Sequence, residues 1–129
     1  MPDDDRRRRG LETWDQMLGP ERAEQTRQLW RDICPDFEEI VVGFLGGEIW
    51  GRPQLDRRTK SLVSVSALAA LGRPLALELN LHMAIRNGAT RQEIVETLLQ
   101  IAPYAGFPAT WEALTAARKV FGETENGPA

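Results

Sequence analysis

One cysteine and one histidine are all that 129 residues hold of the two commonest nitrogen and sulfur metal ligands. Cys34 standing alone excludes a disulfide within the chain and a cysteine-based metal cage. Placed before Pro35 in ICPDF, it reads as a small buried or half-buried apolar side chain, with a reactive thiol as the alternative. With His82 the sole imidazole, a zinc or iron site would have to lean on carboxylates, and no metal is expected. No apolar run approaches the ~20 residues of a membrane span, and the first residues are charged rather than signal-like. A soluble, cytoplasmic protein without a membrane partner is expected. Positive charge is not in excess either: 16 Lys and Arg stand against 19 Asp and Glu, for a net charge of -3. A phosphate-backbone partner needs a basic face, so no nucleic acid is expected.

What is present is apolar bulk. Apolar residues make up 42% of the chain, four Trp and four Phe among them, enough for one core in a chain of this length. Arg6 to Arg9 follow Asp3, Asp4 and Asp5, and this charged N-terminus reads as solvated and flexible over residues 1–9, with a docking arm for an acidic partner as the alternative. GETENGPA marks a loose tail over residues 122–129. No repeat and no linker divides residues 10–121, so one domain is expected.

Periodicity predicts helices throughout. Leu11 to Leu18 carries Leu11, Trp14, Met17 and Leu18 at helical spacing and ends at Gly19-Pro20. A second helix starts at Pro20 and runs through Leu29, Trp30 and Ile33 until Pro35 interrupts it. From Asp36 to Trp50 the stripe Phe37, Ile40, Val41, Phe44, Leu45 and Ile49 predicts a third. Asp56 or Thr59 offers a cap for a small-residue helix over Arg57 to Leu71, expected to be central because Ser and Ala let neighbours approach closely. The next segment, Pro74 to Asn87, is in conflict with itself: Leu75, Leu77, Leu79 and Leu81 alternate as in a strand. Helix is still expected, because Leu and Ala favour it and no β-branched residue appears before Ile85. Thr90 and Glu93 form a T-x-x-E capping box for a helix from Arg91 to Ala102. YAGFPA breaks the chain before a last helix, Pro108 to Phe121, expected to bury Trp111, Leu114 and Val120.

Four strings stand in a fixed order: GEIWGRP (Gly47 to Pro53), ALAALGRP (Ala67 to Pro74), RNGATRQEI (Arg86 to Ile94) and YAGFPA (Tyr104 to Ala109). In this order and at these separations they resemble the carboxymuconolactone decarboxylase family, small all-helical proteins that include alkylhydroperoxidase-type relatives. The resemblance runs from Gly10 to Val120, and GLE near Leu11 with LG near Gly19 also matches. It implies an all-α bundle of the alkylhydroperoxidase D-like type with about six or seven helices, assembled as a homo-oligomer, a trimer or hexamer, with pockets near subunit contacts. The chemistry it implies is decarboxylation with double-bond movement in a carboxylated lactone, using no metal or organic cofactor. Counted from Asn87-Gly88 and from Gly72-Arg73, it puts the family's histidine at Asn80 and its nearby acid at Ala76. In the peroxidase branch a redox C-x-x-C lies on this helix; no cysteine is there, which excludes that thiol chemistry.

With those two positions changed, the resemblance implies a diverged decarboxylase-like enzyme that acts by cofactor-free proton transfer, in a decarboxylation, isomerisation or related step, on a small-molecule substrate, a cyclic carboxylate, lactone or polyketide-like compound, in a tailoring step of specialised metabolism. Glu78 and His82 form an i, i+4 pair able to act as a carboxylate-oriented general base, or to be a surface or interface ion pair. Asn80 is a candidate to hydrogen-bond a ligand carbonyl, or a satisfied core amide. On GEIWGRP, Arg52 would anchor a carboxylate, Trp50 would wall an apolar pocket and Glu48 would transfer a proton; alternatively Arg52 caps a helix, Trp50 is core and Glu48 pairs with Arg52. Arg57 is a further anion anchor, and Tyr104 a proton donor or a buried tyrosine bonded to backbone. The reading from another class is a non-catalytic oligomer that binds a small molecule or a partner.

Overall fold

The computed structural model describes residues 3–126, all of whose regular elements are helices. They divide at Leu55/Asp56 into two compact units, where sequence favours one core.

The first unit holds α1 (Asp3–Leu18), α2 (Pro20–Ile33), α3 (Pro35–Ile40) and a π-helical continuation, π1 (Val41–Ile49). Helix α1 starts eight residues before the expected Leu11, so the arginine run is helical; Arg8 and Arg9 reach back to Asp5 within one turn. Packing of α1 on π1 is set by glycine. A Cβ at Gly46 would stand 2.5 Å from Trp14 Nε1, and one at Gly10 would stand 1.8 Å from the Val42 carbonyl oxygen. Close approach lets Trp14 Nε1 donate to the Val41 carbonyl at 3.2 Å while its ring meets Trp30 edge-on at 5.5 Å. Trp14, Met17, Val42 and Trp50 are buried.

This arrangement turns the third expected helix over. Its stripe of Phe37, Ile40, Phe44 and Ile49 is exposed, and the glycine side with Glu38 faces inward. The Glu38 side chain is 3% exposed and accepts two hydrogen bonds of 3.0 Å from Arg7 and one of 3.1 Å from Arg31. Burial opposes its ionisation, but the two guanidinium groups outweigh that and hold the carboxyl below the ordinary carboxylate range. Cys34, expected to be at least half-buried, is exposed in the extended link between α2 and α3.

The second unit contains α4 (Arg57–Leu71), α5 (Pro74–Arg86), α6 (Arg91–Ala105) and α7 (Phe107–Asn126). Its signals match the sequence closely. Asp56 caps α4, accepting from the Thr59 N–H at 2.7 Å, and Gly72, at φ 67°, ends it in the left-handed region where a side chain is disfavoured. Thr90 and Glu93 close the capping box with bonds of 3.0 and 2.9 Å. Ser61, Val65 and Ala69 put the small face of α4 into a core of Leu77, Leu81, Ile94, Leu98, Ala117 and Val120. The alternating leucines are helical: Leu77 and Leu81, four apart, are buried, and Leu75 is left 88% exposed. Helix α6 continues through Pro103 to Ala105, and α7 runs five residues past Phe121, into the segment read as a loose tail. Trp111, expected inside, is 74% exposed.

Candidate functional site

Helix α5 carries three of the eight candidate residues. Because Leu77, Leu81 and Ala84 point into the core, Glu78 and His82 come out along the flank that meets α7. There Lys119 Nζ lies 3.0 Å from Glu78 Oε1 and 3.9 Å from Glu123 Oε1, and His82 Nε2 lies 3.2 Å from Glu123 Oε2. One ligating atom each from Glu78, His82 and Glu123 fall within 4.8 Å of one another. The His82 side chain is 9% exposed, so α5 and α7 fix its ring, whereas the carboxylates reach water. The Glu78 hydrogen bond, its charge and that of Glu123 raise the Lys119 pKa. The i, i+4 couple is thus part of a four-residue cluster with Lys119 and Glu123, one turn of α5 against one turn of α7, and the latter two residues were missed in the sequence reading. Their own i, i+4 spacing was the available signal, but nothing local aims it at a residue 41 positions away.

Asn80 lies on another side of α5, since two residues turn the helix by ~200°. It is half-buried, and its Nδ2 donates to the Ala76 carbonyl at 2.8 Å, so one of its two amide hydrogens serves its own helix. Arg57 sits half-buried in the first turn of α4. Tyr104 is 85% exposed, which overturns the expectation of a buried tyrosine. The reason is the continuation of α6: with Leu98 and Ala102 facing the core, position 104 falls on the outer side.

The other three candidates belong to the first unit. Glu48 accepts from Arg6 Nη1 at 3.3 Å, a partner from the N-terminal arginine run. Trp50 is 6% exposed and forms part of that unit's core, as its simpler reading expected. Arg52 is exposed just after π1, its backbone N–H bonded to the Ile49 carbonyl at 3.2 Å. Of the eight, Glu78 and His82 are the pair the structure brings together.

Among the described residues the second unit also carries surface clefts. One, of about 380 Å³, is lined by Leu68, Gly72, Arg73, Leu77, Glu112 and Ala116 among others; another, of about 400 Å³, by Arg91, Val95, Leu114, Arg118, Phe121 and Glu125 among others. Asn80 lines neither. Near the first in sequence, Leu71, Leu75, Tyr104, Phe107 and Trp111 leave an unusual amount of apolar and aromatic surface in water. No helix among the described residues is long and apolar enough to cross a membrane.

Similarity to known proteins gives this geometry a context. The chain is 36% identical over 128 residues to a 4-carboxymuconolactone decarboxylase of Acinetobacter baylyi, covering 99% of this chain and 96% of that protein. It is 32% identical over 116 residues to a nitrosuccinic acid decarboxylase of Metarhizium robertsii, covering 88% of this chain and 80% of the relative. The model of the carboxymuconolactone decarboxylase family matches residues 35–119. With that match reaching from α3 into α7 and the helical architecture agreeing, the chain belongs to the carboxymuconolactone decarboxylase family.

Proposed function

We propose that this protein is a decarboxylase-type enzyme that removes CO2 from a small carboxylate, a lactone or other cyclic or polyketide-like acid, by proton transfer between side chains and substrate. The observation that carries this reading is the 36% identity to a decarboxylase over 99% of the chain. The second relative's name attaches to a different acid, which supports a conserved type of reaction on a varied substrate.

Loss of CO2 leaves the electron pair of the broken C–C bond on carbon. An adjacent carbonyl takes it up as an enolate, and a proton then returns to carbon. Such a step needs an anion anchor, a hydrogen-bond donor at the enolate oxygen and a proton source. In this reading Arg57 or Arg52 is the anchor, the second amide hydrogen of Asn80 serves the oxygen, and Glu48 or Tyr104 supplies the proton. Trp50 walls the apolar side, and Glu78 with His82 is the alternative base. A proton donor as exposed as Tyr104 works poorly in open water. We therefore place a second copy of the chain over Tyr104, Phe107 and Trp111 in a trimer or hexamer, which native mass spectrometry tests.

One observation favours a second reading, a non-catalytic oligomer that binds a small molecule or a partner protein. Glu78 and His82 are engaged with Lys119 and Glu123, and the family resemblance implies that Ala76 and Asn80 stand in place of its acid and histidine. CO2 release from 4-carboxymuconolactone and a panel of small keto, nitro and unsaturated acids separates the two. The enzyme reading expects turnover of at least one acid, lowered in Asn80→Ala and in Arg52→Ala without loss of assembly. Binding of panel members with no CO2 from any of them supports the second reading instead.

A further inference from the structure

We propose that Glu78, His82 and Glu123 form a binding site for a borderline divalent cation such as zinc(II), with Lys119 as its built-in competitor. The donor set is an imidazole with two carboxylates, the mixture of nitrogen and oxygen that suits zinc, cobalt and nickel and leaves a fourth position for water. Its members come from two helices, Glu78 and His82 from α5 and Glu123 from α7. The buried ring of His82 is held in place, and its Nε2 is 3.2 Å from Glu123 Oε2. Two ligands each ~2.1 Å from one tetrahedral ion stand about 3.4 Å apart, so this pair already has the spacing of neighbouring ligands. The full set lies within 4.8 Å, and the exposed ends of Glu78 and Glu123 need only rotate to close on an ion.

A cation is already drawn to this point. The Lys119 ammonium bridges the two carboxylates, yet its side chain is 61% exposed and can turn out into water. A divalent ion would take over both carboxylates, add the imidazole nitrogen as a third donor, and repel Lys119 outward. The ion would tie the C-terminal half of α7 to α5. The site lies on a different flank of α5 from Asn80, and an ion bound there stabilises the unit and withdraws Glu78 and His82 from any role as a base.

The test uses the full chain stripped of metal, without substrate, so its result is independent of turnover. Zinc(II) is titrated calorimetrically into wild type, Glu123→Gln and Lys119→Met, both variants lying at exposed positions and checked for fold by circular dichroism. Wild type is expected to bind one ion and melt at a higher temperature with it, Glu123→Gln to bind at least about tenfold more weakly, and Lys119→Met to bind several-fold more tightly. His82 is the only histidine, so its ring resonances report ligation without ambiguity and should shift on zinc addition. Absence of saturable binding in both wild type and Lys119→Met, or binding that leaves the His82 resonances in place or is indifferent to Glu123→Gln, overturns the site. Binding that is not tightened by Lys119→Met overturns the competition.

Discussion

Replacing Glu38 by glutamine should destabilise the first unit by less than removing the arginines that hold it. The Glu38 side chain is 3% exposed, but those of Arg7 and Arg31 are 33% and 40% exposed. Glu38→Gln keeps the shape and one acceptor oxygen, and the two guanidinium groups it releases recover water. Hydrogen bonds to charged groups are worth about 1.5–3 kcal/mol and are not additive, so a net loss of about 2 kcal/mol is expected. The double variant Arg7→Ala/Arg31→Ala leaves a carboxylate in the interior with no partner, for which about 3–5 kcal/mol is typical. At roughly 3–5 °C per kcal/mol for a chain of this length, the first change lowers the melting temperature by about 6–10 °C and the second by more. Acid dependence supplies an independent check. A carboxyl held below its ordinary range in the folded state contributes stability that is complete above the unfolded-state pKa and lost as pH falls through the folded-state value. The gap in melting temperature between wild type and Glu38→Gln should therefore be full at pH 7 and shrink below about pH 4. Thermal unfolding followed by circular dichroism at both pH values measures this. A Glu38→Gln loss equal to or larger than that of the double arginine variant, or a gap that widens in acid, would refute the reasoning.

Other changes act on single features. Gly46→Ala puts a methyl 2.5 Å from Trp14 Nε1, so it should break the bond to the Val41 carbonyl, cost about 1–3 kcal/mol and shift the tryptophan emission. Thr90→Ala opens the α6 capping box and should lower stability by about 1 kcal/mol, read by denaturant titration. Leu81→Ala removes a fully buried side chain from the second core and should cost about 2–5 kcal/mol, against almost nothing for Leu75→Ala at an 88% exposed position.

The helices of the second unit were legible because their signals are local. Asp56 and Thr59, Thr90 and Glu93, and Gly72 lie within three or four residues of the termini they define. The leucine alternation from Leu75 to Leu81 misleads only if the period of two is read without the Pro start and Asn-Gly stop. The third helix was legible as a helix and illegible as a surface. Most of the stripe that marks it as a helix stays outside, because Gly10 and Gly46 allow a closer backbone approach on the other side, and Glu38 becomes tolerable there because Arg7 and Arg31 arrive from different helices. Glu48 likewise finds Arg6, 42 residues away. In the candidate site, the Glu78/His82 spacing could be read directly, while Lys119 and Glu123 depend on how α7 crosses α5. Sequence carries the elements and their caps; which charges meet is decided by packing between distant segments.

The account's central claim concerns a substrate that loses CO2 and takes up a proton on carbon. Running the reaction in D2O with an acid that the wild-type protein accepts, and following it by mass spectrometry, measures both events together. One equivalent of CO2 and one carbon-bound deuterium are predicted, the deuterium on the carbon that carried the lost carboxyl for a keto or nitro acid and at the far end of the shifted double bond for an unsaturated lactone. Recovery of the acids unchanged, with neither CO2 nor deuterium transferred, would contradict decarboxylation and leave a binding protein in its place.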